Sequence, residues 1–160
     1  PVRDIVPSPA VWAYRNYAQF HRAPDGRPGF QAARSRRVVP VNECHIVEPP
    51  LQAWLSANRS LDQRAERVGV RCSNAPDRPA QPDRTSPAAT FVIKGVPFRV
   101  SAESFFQVNT SLIETLIDQM LAKLQLRGDD VVVDAYCGVG LFSRFIAPHA
   151  QHVVGIESST

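Results

Sequence analysis

Two acidic residues and two glycines near the end of the chain have the spacing of a nucleotide-binding turn. Asp134 ends an apolar run, Gly138 and Gly140 follow it closely, and Glu157 ends the next apolar run. Glycine lets the backbone turn sharply and lets a ligand approach where a Cβ would block it. In a βαβ unit, a carboxylate about 20 residues beyond such a turn binds a ribose diol, and Glu157 lies 17 positions after Gly140. The spacing therefore predicts a site for an adenosine-bearing cofactor.

The residue at position 143 bears on the class of cofactor. A dinucleotide fingerprint that starts at Gly138 would need Gly or Ala there, and the chain has Ser143. S-adenosylmethionine has no pyrophosphate, and the pattern D-x-x-x-G-x-G from Asp134 to Gly140 suffices for it. The alternative is a strand–helix turn in which the two glycines are purely structural.

The elements around this turn predict an α/β fold. The run VVV at 131–133 is typical of a buried parallel strand, a short amphipathic segment follows the glycines, and QHVVGIE predicts a second strand. Before them, apolar residues recur at helical spacing from Leu112 to Leu124, with Ser111 and Glu114 as a capping box and Gly128 as a left-handed cap. This order is that of the start of a doubly wound, Rossmann-like sheet.

The first hundred residues predict a separate, mixed α/β region. VWAYRNYAQFH predicts a strand, and FQAARSRRVVPV predicts a return strand after the turn PDGRPG. Residues 49–68 predict a helix that starts at prolines, and residues 74–87 predict a proline-rich loop. FVIKGVPFRVS predicts strand structure in which Gly95 and Pro97 mark a tight turn or an edge position. We therefore expect a central domain over residues 1–100 and the first half of a cofactor-binding domain over residues 101–160.

Composition and charge narrow the class of protein. The chain has 160 residues, of which 44% are hydrophobic, and this composition is typical of a globular protein. Its net charge of +3 makes it only mildly basic. Arginine far outnumbers lysine, and five arginines between positions 22 and 37 lie among aromatic residues, as in proteins that bind single-stranded RNA. The alternative is a solvated, arginine-rich surface. With neither a signal peptide nor a membrane-spanning run, we expect a cytoplasmic protein that has no membrane partner, and no protein partner is implied.

Several motifs together resemble the S-adenosylmethionine-dependent RNA uracil-5-methyltransferases, bacterial enzymes that make 5-methyluridine in 23S ribosomal RNA and in transfer RNA. FRVSAESFFQVNTSLIETLI, VVVDAYCGVGLFSRFIA and VVGIE resemble the methyltransferase domain, and SPAVWAYRNYAQF and VNECHIV resemble the central domain. The resemblance covers nearly all of this chain but only the middle of the family's length. It implies methyl transfer from S-adenosylmethionine to C5 of a uridine.

The resemblance also assigns a set of cofactor-binding residues. It implies that Gln107 contacts the cofactor, that Tyr136 packs beside it, and that Glu157 binds the ribose hydroxyls. The turn through Gly138 and Gly140 would lie along the methionine and ribose. Leu141 belongs to the same set, although relatives often have Asn or Thr at its position. The alternatives are a helix-capping role for Gln107 and a core role for Tyr136.

The cysteines are expected to lie outside this chemistry. In the family a Cys thiolate adds to C6 of uracil, and that Cys lies downstream in a DPPR-type loop that this sequence lacks. We therefore assign no catalytic residue and take Cys137 as a small residue packed against the turn. Cys44 matches a position that in some members is the last of four ligands of a 4Fe–4S cluster, with the other three expected before Pro1. We accordingly expect a fragment, inactive alone, that holds most of the cofactor pocket.

Two other functions are compatible with the sequence. A different class I methyltransferase, acting on an amino group or a small molecule, could share the glycine turn. A non-catalytic RNA-binding module could instead use the arginine-rich hairpin alone.

Overall fold

The computed structural model describes residues 5–74, 80–82, 88–101 and 104–158. Within these ranges the first part of the chain folds into an antiparallel sheet with the strand order β3-β2-β1-β4-β5. The strands are β1 (Tyr17–Arg22), β2 (Pro28–Gln31), β3 (Val38–Pro40), β4 (Arg67–Arg71) and β5 (Gln81–Pro82), and one helix, α1 (Pro49–Ala57), lies between β3 and β4.

Alternation along β1 places the first hydrophobic core on one face of this sheet. Ala18 and Phe20 are buried, whereas Gln19 between them is exposed, as the two-residue period of a strand requires. The Phe20 ring lies 5.2 Å from that of Phe30 and stacks on Trp54 of α1 at 5.6 Å. The core thus joins the hairpin β1–β2 to α1.

Three predictions for this region need correction. The helix predicted over residues 49–68 ends at Ala57, because the later residues extend and Val68 pairs with Phe20 as part of β4. The single predicted return strand is two strands, β2 and β3, separated by a turn that carries Arg34 in a left-handed conformation. The predicted proline-rich loop contains β5, while its residues 75–79 and 83–87 lie outside the described residues.

The second part of the chain begins with a hairpin and a long helix. Strands β6 (Ala88–Ile93) and β7 (Val96–Ser101) pair antiparallel about Lys94 and Gly95, which confirms the tight turn there. Helix α2 (Thr110–Leu124) packs through Ile113 and Ile117 on a second core. That core also contains residues of β6, β7, the connection to α2 and α3: Phe91, Ile93, Phe98, Val100, Phe106 and Leu141.

Both predicted caps of α2 are wrong. Asn109 precedes the helix, Ser111 lies within its first turn and donates to the Asn109 side chain, and Glu114 accepts the Lys94 amide at 2.9 Å. The capping box is therefore absent. At the other end the left-handed residue is Gln125, so Gly128 does not cap the helix.

The remaining elements form a parallel βαβ unit. Strand β8 (Val131–Ala135) pairs in parallel with β9 (His152–Ile156), and α3 (Leu141–Ile146) followed by a short 3-10 turn connects them. The predicted strand, glycine turn, helix and strand are thus all present in that order. The prediction that the first strand is buried is wrong for the described residues, since Val131 and Val133 of β8 are 64% and 60% exposed beside a single neighbouring strand, β9. The division of domains after residue 100 stays a prediction; β6 and β7 share the second core with α2 and α3.

Candidate cofactor site

The turn between β8 and α3 adopts a backbone that ordinary residues avoid. Gly138 and Gly140 have φ values of +54° and +76°, and Tyr136 is also left-handed at +63°. Such a conformation is sterically costly for any residue with a Cβ, which explains the glycines. A Cβ built on either glycine would meet no atom within 4 Å, so the space beside the turn is open to a ligand.

The two predicted acids make hydrogen bonds to the turn and to the helix that follows it. Asp134 accepts hydrogen bonds from the backbone N–H (3.1 Å) and the hydroxyl of Ser143 in α3. Ser143 thus has a local role at the position where a dinucleotide site would have Gly or Ala. Glu157 accepts the Gly138 amide through one carboxylate oxygen at 2.8 Å and the Ser158 amide through the other at 2.8 Å.

A cleft of about 90 Å³ opens in front of the turn and brings together four of the six residues predicted for the cofactor. Gln107, Tyr136, Gly138 and Leu141 all line it, although Gln107 is 29 or more positions from the others. Sites for small ligands usually enclose roughly 300–1,000 Å³. The described residues therefore form one wall of a pocket that could hold part of such a ligand.

The other two predicted residues, Gly140 and Glu157, do not line this cleft. Gly140 precedes α3 and lines a separate open depression with Ser143 and Arg144. Glu157 reaches the cleft through its hydrogen bond to Gly138. Leu141 is 6% exposed and belongs to the second core, so it contributes an apolar floor rather than a polar contact.

Two exposed aromatic rings flank the cleft. Tyr136 is 86% exposed, which excludes the alternative of an ordinary core aromatic, and Phe105 is 75% exposed. Exposed aromatic faces beside a cleft are surfaces on which a planar ligand can stack. Sequence reasoning missed Phe105; its neighbour Phe106 is buried in the second core, and nothing in the pair FF tells which ring faces outward.

Similarity to known proteins at the level of sequence covers part of the chain. No protein-family model matches it. An uncharacterized RNA methyltransferase of Staphylococcus aureus is 43% identical over 60 residues, which is 38% of this chain and 13% of that protein. One of Halalkalibacterium halodurans is 46% identical over 65 residues, which is 41% of this chain and 14% of that protein.

A solved structure extends the likeness over almost the whole fold. The crystal structure of a Pyrococcus abyssi tRNA (uracil-54, C5)-methyltransferase in complex with S-adenosyl-L-homocysteine matches with a TM-score of 0.67 at 17% identity. The match covers 98% of this chain and 51% of that one. The predicted resemblance is therefore borne out at two levels: the curated relatives are named RNA methyltransferases, and the solved tRNA (uracil-54, C5)-methyltransferase shares the fold. The predicted α/β fold class is confirmed too, and the part of the chain that matches the curated relatives covers only about an eighth of their length.

Of the three cysteines, Cys137 lines the cleft, whereas Cys44 and Cys72 do not. Cys137 lies partly buried, and a Cβ on Gly155 would meet its Sγ at 3.0 Å, so the thiol packs against β9. Cys72 is buried, and burial together with the nearby Glu48 carboxylate raises the pKa of its thiol. A raised pKa disfavours the thiolate, so Cys72 is poorly suited to nucleophilic attack.

A cluster ligand role for Cys44 has no support from its surroundings. The Cys44 amide donates to the Gln52 side chain at 2.9 Å, and the residue packs against the first core. Within the described ranges, no three His, Cys, Asp or Glu side chains are placed to hold a metal ion.

The arginine-rich hairpin presents part of its charge to solvent. Arg34, Arg36 and Arg37 are exposed on the turn between β2 and β3, whereas Arg27 pairs with Asp25 at 2.8 Å. That pairing lowers the pKa of Asp25. Trp12 is 63% exposed, so an aromatic face and exposed cationic groups both exist on this part of the chain. None of the helices in the described ranges is long and apolar enough to cross a membrane.

Proposed function

We propose that this chain is the cofactor-binding part of an RNA (uracil-5-)-methyltransferase, which transfers a methyl group from S-adenosylmethionine to C5 of a uridine in 23S rRNA or tRNA. The observation that supports it best is the cleft at the end of β8, where Gln107, Tyr136, Gly138 and Leu141 converge beside a turn held by Glu157. The curated relatives are RNA methyltransferases by name, and the structural neighbour was solved with S-adenosyl-L-homocysteine.

The residues around the cleft suit the parts of this cofactor. The Glu157 carboxylate lies at the turn, where it accepts the Gly138 and Ser158 amides, and a carboxylate at this point of a βαβ unit is the group that accepts hydrogen bonds from ribose hydroxyls. Tyr136 and Phe105 offer exposed faces for planar rings. The open backbone at Gly138 and Gly140 leaves room for the methionine and ribose portion.

The division of labour follows from these assignments. When bound, S-adenosylmethionine supplies an electrophilic methyl group. The residues of this chain would bind and orient it, while the thiolate that attacks C6 and the base that removes the C5 proton are not assigned to any residue here. The proposal therefore includes that these 160 residues alone do not methylate RNA. It also includes a division into two domains near residue 100 and a cytoplasmic location for the protein.

Calorimetric titration of the chain with S-adenosylhomocysteine tests the cofactor assignment. We expect saturable binding with one site, and no binding of NADH at the same concentrations. Binding of NADH in place of S-adenosylhomocysteine would contradict the proposal and favour a dinucleotide site. Absence of binding by either ligand would leave the RNA-binding module as the better interpretation.

RNA binding is tested through the exposed arginines. Neutralising Arg34, Arg36 and Arg37 together to Gln should reduce the salt dependence of affinity for a uridine-rich single strand, by about 0.7 in the log–log slope for each phosphate that is no longer neutralised. The matched control is Arg27→Gln, because Arg27 is already paired with Asp25. Fluorescence anisotropy at several salt concentrations gives both slopes. Equal slopes for the triple variant and the unaltered chain would exclude this turn as the RNA-binding surface.

A further inference from the structure

The segment that carries Phe105 and Gln107 is held from two sides. This connecting segment, residues 104–110, links β7 to α2 and has almost no regular structure before α2 begins. On one side Phe106 is buried in the second core, and its ring stacks on Phe91 at 4.4 Å. That contact fixes the segment at Phe106. It does not fix the backbone from Gln107 to Thr110.

On the other side a fully buried residue of the first part of the chain binds the middle of the segment. Asn16, which directly precedes β1, is 0% exposed. Its side-chain amide donates to the carbonyl of Gln107 at 2.8 Å and to the hydroxyl of Thr110 at 2.9 Å. Its backbone N–H donates to the carbonyl of Val108 at 2.9 Å, and its own carbonyl accepts the Cys72 amide at 2.9 Å.

These contacts use the particular chemistry of asparagine. A side-chain amide has two N–H donors, and both are directed at the connecting segment. The bond to the Gln107 carbonyl is partly buried, and a carbonyl in such a place pays a desolvation penalty when it loses its donor, so removal of the donor disfavours this position of Gln107. An aspartate of the same shape would place an oxygen opposite the Gln107 carbonyl.

Glu48 and Arg71 also join the first part of the chain to the connecting segment, at residues other than Gln107. Glu48 accepts the Thr110 hydroxyl at 3.2 Å and the Cys72 thiol at 3.3 Å. Arg71 donates to the carbonyl of Ser104 at 3.1 Å. The first part of the chain therefore binds both ends of the connecting segment, and Asn16 binds its middle.

We propose that Asn16 is a positioning residue for the cofactor cleft. By fixing the backbone at Gln107 it determines where the Gln107 side chain and the neighbouring Phe105 ring meet the cleft. The inference rests on the proposed function for its ligand, but the contact it invokes is a property of the chain without ligand.

The test compares Asn16→Asp with Leu55→Ala. Leu55 is buried in the first core on α1, so its truncation lowers stability without removing a bond to the connecting segment. Hydrogen exchange of the free chain and titration with S-adenosylhomocysteine are both measured below the unfolding range of either variant. If the aspartate variant does not fold, Asn16→Ala removes the same two donors without placing an oxygen there.

We expect the Asn16 variant to raise amide exchange in residues 104–110 at least tenfold and to weaken S-adenosylhomocysteine binding at least tenfold. The Leu55 variant should leave both within about twofold of the unaltered chain. Exchange that rises no more than in the Leu55 control would overturn the proposal, as would a loosened segment with unchanged affinity. Failure of the unaltered chain to bind S-adenosylhomocysteine would count against the proposed function, and the exchange result would still decide the role of Asn16.

Discussion

Replacing the Glu157 carboxylate by an amide tests the cofactor assignment most directly. In the free chain Glu157 accepts two backbone amides at 2.8 Å, and the group is exposed. Glu157→Gln keeps the size of the side chain and one acceptor oxygen but removes the negative charge and half of the acceptor capacity. If the ribose hydroxyls bind here, the variant loses charge-assisted hydrogen bonds to the ligand.

The expected size of the effect follows from those bonds. Hydrogen bonds to a charged group contribute about 1.5–3 kcal/mol, and each 1.4 kcal/mol is about tenfold in affinity. We therefore expect S-adenosylhomocysteine to bind Glu157→Gln roughly tenfold to a hundredfold more weakly. Isothermal titration of both proteins in the same buffer measures the ratio.

The chain offers a matched control for this substitution. Glu114 is also exposed and also accepts a backbone amide, that of Lys94 at 2.9 Å, but it lies on α2 and does not line the cleft. Glu114→Gln should leave the affinity within about twofold. An unchanged affinity for Glu157→Gln would refute the ribose assignment, and equal decreases in both variants would show that the effect is general rather than local.

Three further predictions concern packing, pH and the exposed ring. A Cβ at Gly29 would lie 2.3 Å from the Val39 carbonyl oxygen, so Gly29→Ala should reduce the free energy of unfolding by about 1–3 kcal/mol or more. The control Gly128→Ala, which has open space around its Cβ, should leave the free energy of unfolding almost unchanged. Urea unfolding measures both variants, and equal midpoints would contradict the close packing at Gly29. Burial raises the pKa of Glu48, so folding favours its protonated form. The free energy of unfolding should therefore fall as pH rises from about 4.5 through that raised pKa. Unfolding curves measured across this pH range should show the fall in the unaltered chain and not in Glu48→Gln. Tyr136→Ala should weaken S-adenosylhomocysteine binding roughly twofold to tenfold, whereas Tyr136→Phe should retain the affinity because it keeps the ring. Identical dissociation constants for the two variants would show that the ring does not contact the ligand.

The parallel unit could be predicted because its signals are local and agree with one another. The run VVV, the turn through Gly138 and Gly140, and the apolar residues before Glu157 each point to the same strand–turn–helix–strand order. The cleft needed the fold as well, since the resemblance alone connected Gln107 to a turn far along the chain, and the structure brings the two together.

The errors arose where a distant partner decided the local structure. Leu61 and Val68 continue the helical spacing of α1, but Leu61 lies beyond the end of the helix and Val68 pairs with Phe20 in β4. Glu114 has the spacing of a capping box, yet its carboxylate is used by the hairpin turn at Lys94. The contacts of Asn16 could not be predicted from the sequence, because nothing in its neighbourhood along the chain shows that residues 107–110 need hydrogen-bond donors there.

The left-handed backbone at Tyr136 has a consequence for how this position can vary. A residue with a Cβ gives up conformational free energy in that region, so exchange for glycine or asparagine would relieve strain and should make the fold more stable. A ring that is 86% exposed offers little packing to offset that strain. Stabilising substitutions at functional positions tend to reduce activity, so under the proposed function position 136 is one where selection for thermostability and selection for cofactor binding would choose different amino acids.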